Sequence, residues 1–294
     1  MRITAHAKIN LFLEVLGKRS DGYHEIDTVL QTIGLGDDLF LEKNNINDCN
    51  IEIKGADDIS PGKDNLVWKA WNLLRGRFPD KTGGVNVKLV KRVPPGAGLG
   101  GGSADAAAML CGLNGLFSLN LGRKDLEKLG THIGMDVPFL IRGGTARATG
   151  RGENLEFLER KTEFSIIVVH PGFPTSTPEA YRGLAGNLDA PKHDSEKMIR
   201  ALSVEKVDAL TDALYNRFEK LLTGQNQAFA EIKKVLLKEG CKAAMITGSG
   251  SAICGFAPAD ADLSHVVGRL AKRYYFTALT RPVQQGVVIH NNAE

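Results

Sequence analysis

Glycine is crowded into one short stretch of this 294-residue chain, which reads PPGAGLGGGSADAAA over residues 94–108. Five glycines there lead into an alanine-rich run that is typical of a helix. Glycine lets a ligand approach the backbone closely, and the first turn of a helix presents unpaired N–H groups at the positive end of its dipole. The combination predicts an anion site, most often a phosphate site, and hence a chain that handles a polyphosphate.

Two familiar phosphate loops do not fit this stretch. A Walker A loop ends in Gly-Lys-Ser or Gly-Lys-Thr, whereas Gly102 is followed directly by Ser103. The glycines at 96, 98 and 101 match a dinucleotide fingerprint, but residues 116–128 predict helix, turn and helix where that fold needs a strand with an acidic end. A flexible linker would lack the embedded Pro-Pro and would not run directly into a helix.

Composition excludes several broad classes. The hydrophobic fraction of 43% is that of a folded globular protein, and the net charge of +3, without basic runs, predicts no nucleic-acid partner. No apolar stretch reaches bilayer length, and polar Lys8, Asn10 and Glu14 interrupt the N-terminus, so we expect no membrane association and no signal peptide. The four cysteines lack metal-ligand spacing. We therefore expect a cytoplasmic protein, and with no exposed apolar stripe evident, a monomer or weak homodimer.

Strand patterns dominate the first half of the chain and helix patterns the second. Strands are predicted over residues 3–16, 26–33, 38–43, 50–54, 85–93, 164–170, 243–247, 252–256, 276–280 and 287–290. Helices are predicted over 66–78, 103–117, 123–133, 260–273 and most of 177–239, with a loop near 186–194. This distribution predicts an α+β protein of two lobes, residues 1–158 and 159–294.

Two charged side chains stand out because of their surroundings. Asp136 lies between Gly134 and Pro138 among apolar neighbours, where a partly shielded carboxylate suits a proton acceptor, although a turn or helix cap also explains it. Lys8 lies in mid-strand and by itself would simply face solvent. Beside an anion loop and a shielded aspartate, it could hold that aspartate ionised or steady a reacting hydroxyl and a phosphoryl group.

Two loops could contact a ligand. Gly248 and Ser249 form part of a second glycine corner, TGSGS over residues 247–251, which suits either a hairpin turn or a substrate contact. Tyr23 and His24 follow a Ser-Asp-Gly turn. They are either incidental or able to read a base, by stacking from the tyrosine and hydrogen bonds from the histidine.

The stretch PPGAGLGGGSA at 94–104 resembles the loop of the galactokinase, homoserine kinase, mevalonate kinase and phosphomevalonate kinase superfamily. Further segments resemble, in order, the branch of that superfamily that phosphorylates a cytidine-diphosphate-linked methylerythritol. Its Asp-Gly-Tyr-His segment separates that branch from its relatives. The segments, which span most of the chain, are AKINL at 7–11, RSDGYH at 19–24, DVP at 136–138, GGTA at 143–146 and TGSG at 247–250.

The resemblance implies a fold and a reaction. The N-terminal lobe would be like the second domain of ribosomal protein S5, and the C-terminal lobe would be ferredoxin-like. The reaction would transfer the γ-phosphoryl group of ATP, with Mg²⁺, to the 2-hydroxyl of the methylerythritol portion of a cytidine diphosphate substrate. That step belongs to the non-mevalonate route to isoprenoids.

The resemblance also implies roles for individual residues, and it leaves open whether Ser103 is a direct or an indirect ligand of the magnesium ion. Asp136 would be the general base and Lys8 its partner, while Tyr23 and Tyr181 would sandwich the cytosine beside His24. The substrate-side residues are Asn10, Tyr23, His24, Asp136, Thr177, Pro178, Tyr181, Gly248 and Ser249. The triphosphate residues are Pro94, Gly96, Gly98, Leu99, Gly100, Gly101, Gly102, Ser103 and Ala104, with Asn65, Leu66 and Lys91 towards the adenosine.

Two alternatives remain at this point. A sister kinase of the same fold could act on homoserine, mevalonate or a sugar, in which case Tyr23 and His24 would be incidental. A nucleotide-binding module without catalysis is the other alternative, and the joint presence of Lys8 and Asp136 argues against it.

Overall fold

The structure, a computed structural model, describes residues 1–184 and 192–290 and contains a large and a small β-sheet. The strands of the large sheet are β1 (Arg2–Lys18), β2 (His24–Asn44), β3 (Cys49–Lys54), β4 (Gly84–Val90), β5 (Thr145–Gly150), β6 (Asn154–Leu158), β8 (Tyr215–Asn216) and β12 (Val287–His290). Those of the small sheet are β7 (Phe164–His170), β9 (Ala243–Ile246), β10 (Ile253–Pro258) and β11 (Phe276–Thr280).

Four helices accompany the large sheet: α1 (Leu66–Arg77), α2 (Gly101–Leu116), α3 (Arg123–Gly130) and α4 (Val137–Arg142). The strand order is β12-β1-β2-β4-β3, with β5 also on β2, β6 on β5 and β8 on β1. Helix α2 lies against this sheet so closely that a Cβ on Gly112 would come within 2.3 Å of Ile3 Cδ1 and 2.5 Å of Leu41 Cδ1. This approach anchors the helix that begins at the glycine loop.

The small sheet is antiparallel with the order β11-β7-β10-β9. Helical segments connect β7 to β9 and β10 to β11, and β9 leads directly into β10, which gives the β-α-β-β-α-β connectivity of the ferredoxin-like arrangement. The two-lobed α+β fold expected from the sequence is thereby confirmed. The helices of this part are α5 (Thr177–Gly183), α6 (Glu196–Leu202), α7 (Val207–Thr211), α8 (Glu219–Gln225), α9 (Gln227–Lys238) and α10 (Ser264–Leu270).

Strands β1 and β2 are longer than the sequence predicted. The two strands expected over 26–33 and 38–43 are one strand, so the predicted interruption over residues 34–37 was wrong. The hydrogen bonds to β1 continue beyond this point because the register shifts between His6 and Lys8. A Cβ at Gly36 would lie 2.6 Å from the Ala5 carbonyl oxygen, so this glycine serves close strand approach rather than a turn.

The middle of β1 lies between the two lobes. Its residues 7–15 are buried on both faces. Ala7, Ile9 and Leu11 pack in one core with Phe164 and Val168 of the small sheet. Lys8 and Asn10 are thereby placed at the junction of the lobes.

The division of the chain after residue 158 stays a prediction. Strand β12 pairs antiparallel with β1 in the large sheet, so the chain returns to its first strand after completing the small sheet. Residues 186–191 of the expected loop lie outside the described residues. No helix within the described parts of the chain has the length and apolar character required to cross a bilayer.

Candidate active site

A cavity of about 620 Å³ opens between the lobes. Its walls come from β1, the loop before α2, the corner before α4, the start of α5 and the loop between β9 and β10. Most residues predicted for the site line it: Lys8, Asn10, Asn65, Leu66, Lys91, Pro94, Gly96, Gly98, Leu99, Gly100, Gly101, Gly102, Ser103, Asp136, Thr177, Tyr181, Gly248 and Ser249.

The glycine loop joins β4 to α2 and rests on the second glycine corner. Gly98 has a φ of +77°, and a Cβ there would lie 2.4 Å from the Thr247 carbonyl oxygen. Ala252 N donates to the Ala97 carbonyl oxygen at 3.0 Å, which joins the two loops further. The corner at 247–251 is therefore a wall of the cavity as well as a connection between strands.

Helix α2 begins at the rim of the cavity. Its N-cap is Gly100, with a φ of +69° and no side-chain hydrogen bond to the first turn. The first-turn N–H groups therefore need partners from outside the helix, and its dipole adds partial positive charge there. Since residues 101–103 line the cavity, this end of it suits the oxygens of a polyphosphate.

Lys8 and Asp136 face each other across the cavity. Lys8 Nζ lies 3.8 Å from Asp136 Oδ2, with the lysine side chain 7% exposed and the aspartate side chain 38% exposed. Asp136 precedes α4 as its N-cap residue but makes no side-chain capping bond. Its carboxylate is consequently available to a ligand, and the lysine charge lies within reach of the same ligand.

Asn10 holds the lysine in place. Lys8 Nζ donates to Asn10 Oδ1 at 2.8 Å, and Asn10 Nδ2 donates to Thr28 Oγ1 at 2.8 Å. The Asn10 backbone N–H donates to Thr247 Oγ1 at 2.9 Å. Thr28 was not predicted, because a threonine in a strand carries no sequence signal that separates an orienting hydroxyl from an ordinary strand former.

The far end of the cavity is aromatic. The Tyr181 ring stacks on His24, with centroids 4.6 Å apart and planes at 27°, and meets the edge of Phe218 at 5.0 Å. Burial, with a contribution from the Asp136 charge, raises the pKa of Tyr181 to about 12, so its phenol stays protonated. Burial, then the charge of Lys18, lowers the pKa of His24, which favours a neutral ring with one donor and one acceptor.

Tyr23 is not among the residues that line the cavity. The residue is 51% exposed, and the Arg151 guanidinium lies 5.0 Å from its ring centroid. Ala104, Pro178 and His24 also lie outside the lining. The role of Tyr23 in a base sandwich stays a prediction, and the stacked pair in this structure is His24 with Tyr181.

Hydrogen bonds between polar groups fix two further walls of the cavity. Thr177 Oγ1 and Ser249 Oγ share a hydrogen bond of 2.8 Å between the start of α5 and the second glycine corner. On the opposite side, Asn65 caps α1 by accepting from Val67 N, and its Nδ2 donates to the Ser60 carbonyl oxygen. The Asn65 side chain therefore shapes the cavity wall while its own hydrogen bonds are made within the protein.

Several lining residues were missed by sequence reasoning. Arg151 follows a glycine turn, and Phe218 lies in a helical region with many apolar residues, so neither has a distinctive pattern. Asp105 had a signal that could have been used, because it is the one charged residue in the first two turns of α2. Lys91 lines the cavity as expected, but two carboxylates hold its ammonium.

Comparison with known proteins extends these observations. A family model described as the GHMP kinases N terminal domain matches residues 65–144, and one described as GHMP kinases C terminal matches residues 198–275. A 4-diphosphocytidyl-2-C-methyl-D-erythritol kinase of Pelotomaculum thermopropionicum is 41% identical over 251 residues, covering 85% of this chain and 87% of the relative. One of Clostridioides difficile is 34% identical over 291 residues, covering 98% of this chain and 97% of the relative.

Solved structures agree with these relatives. A crystal structure of 4-(cytidine 5'-diphospho)-2C-methyl-D-erythritol kinase is similar with a TM-score of 0.79 at 30% identity, covering 96% of this chain and 99% of that one. A homoserine kinase from Cytophaga hutchinsonii is similar with a TM-score of 0.76 at 17% identity, covering 98% of this chain and 96% of that one. The similarity to the homoserine kinase shows only that the two proteins share a fold.

Fold and cavity thus define a kinase of the GHMP class, an enzyme that uses ATP as phosphate donor to a small molecule. The expected resemblance to this superfamily is confirmed. Within the class, the extent and identity of the matches show that the chain belongs to the 4-diphosphocytidyl-2-C-methyl-D-erythritol kinase family.

Proposed function

We propose that this enzyme transfers the γ-phosphoryl group of ATP to the 2-hydroxyl of 4-diphosphocytidyl-2-C-methyl-D-erythritol, in the non-mevalonate route to isoprenoid precursors. The observation that carries the proposal is the approach of Lys8 Nζ to Asp136 Oδ2, 3.8 Å, in a cavity whose wall is the glycine loop. An amine, a carboxylate and a bed of backbone N–H groups around one space suit phosphoryl transfer to an alcohol.

Asp136 would act as the general base. The substrate O–H proton passes to the Asp136 carboxylate while the hydroxyl oxygen bonds to the γ-phosphorus and the bond from that phosphorus to the β–γ bridging oxygen breaks. ADP leaves with the electron pair of that bond. The half-exposed carboxylate without a capping bond is a suitable acceptor, because its oxygens can accept a proton from a ligand.

Lys8 would supply a fixed positive charge beside Asp136 and the phosphoryl group. Its ammonium is tied to Asn10 Oδ1, so it has one fixed direction, and its remaining donors face the carboxylate and the space beside it. A buried cation there attracts the oxygens of the phosphoryl group as charge shifts in the transition state. Asn10 thereby contributes through the lysine as well as by its own position.

The loop from Gly98 to Ser103 would hold the triphosphate through backbone N–H groups and the N-terminus of α2. Among the described residues, no group of three or more His, Cys, Asp or Glu side chains is arranged to hold a metal ion. A Mg²⁺ ion bound with ATP would take ligands from phosphate oxygens and water, and the Ser103 hydroxyl, which lines the cavity, would be its candidate direct or indirect protein ligand. When bound, the ion would screen the charge of the phosphates.

The test is a coupled ADP-release assay that compares the cytidine diphosphate methylerythritol with mevalonate and homoserine as acceptors. We expect turnover with the first acceptor alone, and inhibition by CDP added as a competitor. Turnover with mevalonate or homoserine, without inhibition by CDP, would assign the enzyme to a sister activity of the class. ATP binding without turnover on any of the three would contradict a catalytic role for Lys8 and Asp136.

A further inference from the structure

A buried cluster of three charged side chains lies directly behind the glycine loop. Lys91 Nζ donates to Asp105 Oδ2 at 2.7 Å and to Asp37 Oδ2. The three side chains are 3%, 4% and 0% exposed respectively. Lys91 immediately follows β4, and Asp105 belongs to the second turn of α2, so the Lys91–Asp105 pair joins the two ends of the segment that contains the loop.

Asp37 connects the same lysine to the backbone that enters the loop. Its Oδ1 accepts from the N–H groups of Arg92 and Val93, the latter at 2.8 Å. A Cβ on Gly101 would lie 3.0 Å from Val93 Cγ1 and 3.4 Å from Lys91 Nζ, so the first residue of α2 rests on this cluster. The entry to the loop, the start of α2 and the cluster are therefore in mutual contact.

The charges of this cluster do not balance. Two carboxylates share one ammonium. Burial raises the pKa of Asp105 to about 7; the charge of Asp37 acts in the same direction, and the attraction of Lys91 opposes it. Asp105 Oδ1 is buried and has no hydrogen-bond partner among the described residues. Apolar side chains of similar size often replace buried ion pairs without loss of stability, so stability alone does not account for this arrangement.

We propose that Asp105 and Asp37 are positioning residues for the phosphate loop. Both act through Lys91: they set the distance between the two ends of the loop and thereby the direction of the N–H groups at residues 98–103. The inference rests on the proposed function, because it takes the loop to be the triphosphate site. It gives Lys91 the role of joining the two ends of the loop, which differs from the contact with adenosine expected from the sequence.

Two substitutions at position 105 separate positioning from folding. Asp105→Leu has nearly the same shape, leaves Lys91 paired with Asp37 and removes the bridge between the loop ends. Asp105→Asn keeps a carbonyl oxygen that can accept from Lys91. We expect the Kd for ATP to rise about tenfold or more in Asp105→Leu, because misplaced contact groups weaken binding steeply, and to stay within about threefold in Asp105→Asn.

The matched control is Asp27→Leu. Asp27, like Asp37, is a buried carboxylate on β2. It is paired with Arg147 at 2.9 Å, but it does not line the cavity. We expect this variant to melt at a lower temperature while its Kd for ATP, measured by calorimetry well below that temperature, is unchanged. The Kd for CDP, which probes the other end of the cavity, should be unchanged in the folded variants at position 105.

The outcomes are distinct. A folded Asp105→Leu protein that binds ATP as tightly as the wild type would overturn the inference, as would equal weakening by Asp27→Leu. If Asp105→Leu does not fold, Asp105→Ala takes its place, with the same expectation for ATP and CDP. The measurement uses no acceptor, so failure of the wild type to bind ATP would refute the proposed function, whereas failure of the variants to weaken binding would refute the positioning role alone.

Discussion

Lys8 Nζ lies 3.8 Å from Asp136 Oδ2, although the two residues come from the first strand and from the N-cap of a short helix far along the chain. Asn10 orients the lysine from the same strand, and the glycine loop contacts it from the other side, since a Cβ on Gly100 would lie 3.0 Å from Lys8 Cγ. The reacting groups and the phosphate site are thus parts of one contact network. This relationship makes the consequences of individual substitutions predictable.

Removing either member of this pair should stop catalysis and leave nucleotide binding largely intact. We expect kcat to fall by about 10²–10⁴-fold in Asp136→Asn, because the amide cannot take the proton of the acceptor hydroxyl. Lys8→Ala should abolish turnover, because it removes the positive charge that attracts the oxygens of the phosphoryl group in the transition state. ADP release gives the rate, and calorimetry with ATP should give a Kd within a few-fold of the wild type.

The control for that experiment is Asp125→Asn, which alters an aspartate at the start of α3, away from the cavity. It should change neither kcat nor ATP affinity. A folded Asp136→Asn protein that has lost ATP binding would refute the role assigned to the carboxylate.

Adding one methyl group at Gly98 should damage the phosphate site. The residue has a φ of +77°, and its Cβ would lie 2.4 Å from the Thr247 carbonyl oxygen, so Gly98→Ala must displace the loop or the second glycine corner. We expect the Kd for ATP to rise at least about tenfold, because the loop N–H groups lose their alignment. Calorimetric titration with ATP is the measurement.

Gly76→Ala provides a matched substitution in which the new Cβ meets nothing within 4 Å. It lies within α1, where alanine should raise the free energy of unfolding by roughly 0.5–1 kcal/mol and leave ATP binding unchanged. Equal ATP affinity in Gly98→Ala and Gly76→Ala would show that the loop does not hold the phosphates.

The stacked pair of His24 and Tyr181 should determine affinity for the cytidine end of the acceptor. Stacking of a base on an aromatic ring contributes roughly 1–3 kcal/mol, so Tyr181→Ala should raise the inhibition constant of CDP about tenfold or more. His24→Ala should act in the same direction, and neither should alter the Kd for ATP. Tyr23→Ala should have a smaller effect, because Tyr23 is 51% exposed, whereas His24 stacks on Tyr181.

Tyr275→Ala serves as the control for the aromatic variants, since Tyr275 is 74% exposed and lies outside the cavity lining. If CDP binds Tyr181→Ala and the wild type equally well, the aromatic end of the cavity is not the base site.

Asp105 should make the stability of the protein depend on pH in an unusual direction. Its pKa is about 7 when folded, whereas an aspartate in an unfolded chain titrates near about 3.9. Between these values the folded state binds more protons, so this group's contribution to stability decreases as the pH rises. Asp105→Asn removes that contribution, and its melting temperature relative to the wild type should increase from pH 5 to pH 8.

The contribution of Asp38 to stability should depend on pH in the opposite direction, which Asp38→Asn would test in the same thermal melts. Burial opposes the charge of Asp38, but Arg92, Thr4 and Arg2 outweigh it and lower its pKa, so its contribution is present near neutrality and is lost as the pH falls below the ordinary aspartate range. A pH-independent difference between Asp105→Asn and the wild type in thermal melts would contradict the shifted titration of Asp105.

Local sequence determined those features that depend on backbone chemistry and short-range pattern. The helix after the glycine-rich run, helix α1 and the strands β1 and β7 were all predicted, because each follows from residues close together in the chain. The loop could be recognised as a phosphate site since its glycines and the helix start are contiguous.

Tertiary structure alone decided how the distant parts meet. It continued β2 through Gly34 and Gly36, stacked Tyr181 on His24, and surrounded Lys91 with two carboxylates from different elements. It also placed Lys8 beside Asp136, which the sequence could only suggest. The reason is physical: a pattern within a segment sets its backbone form, but the packing of β1 between the lobes sets which side chains share one cavity.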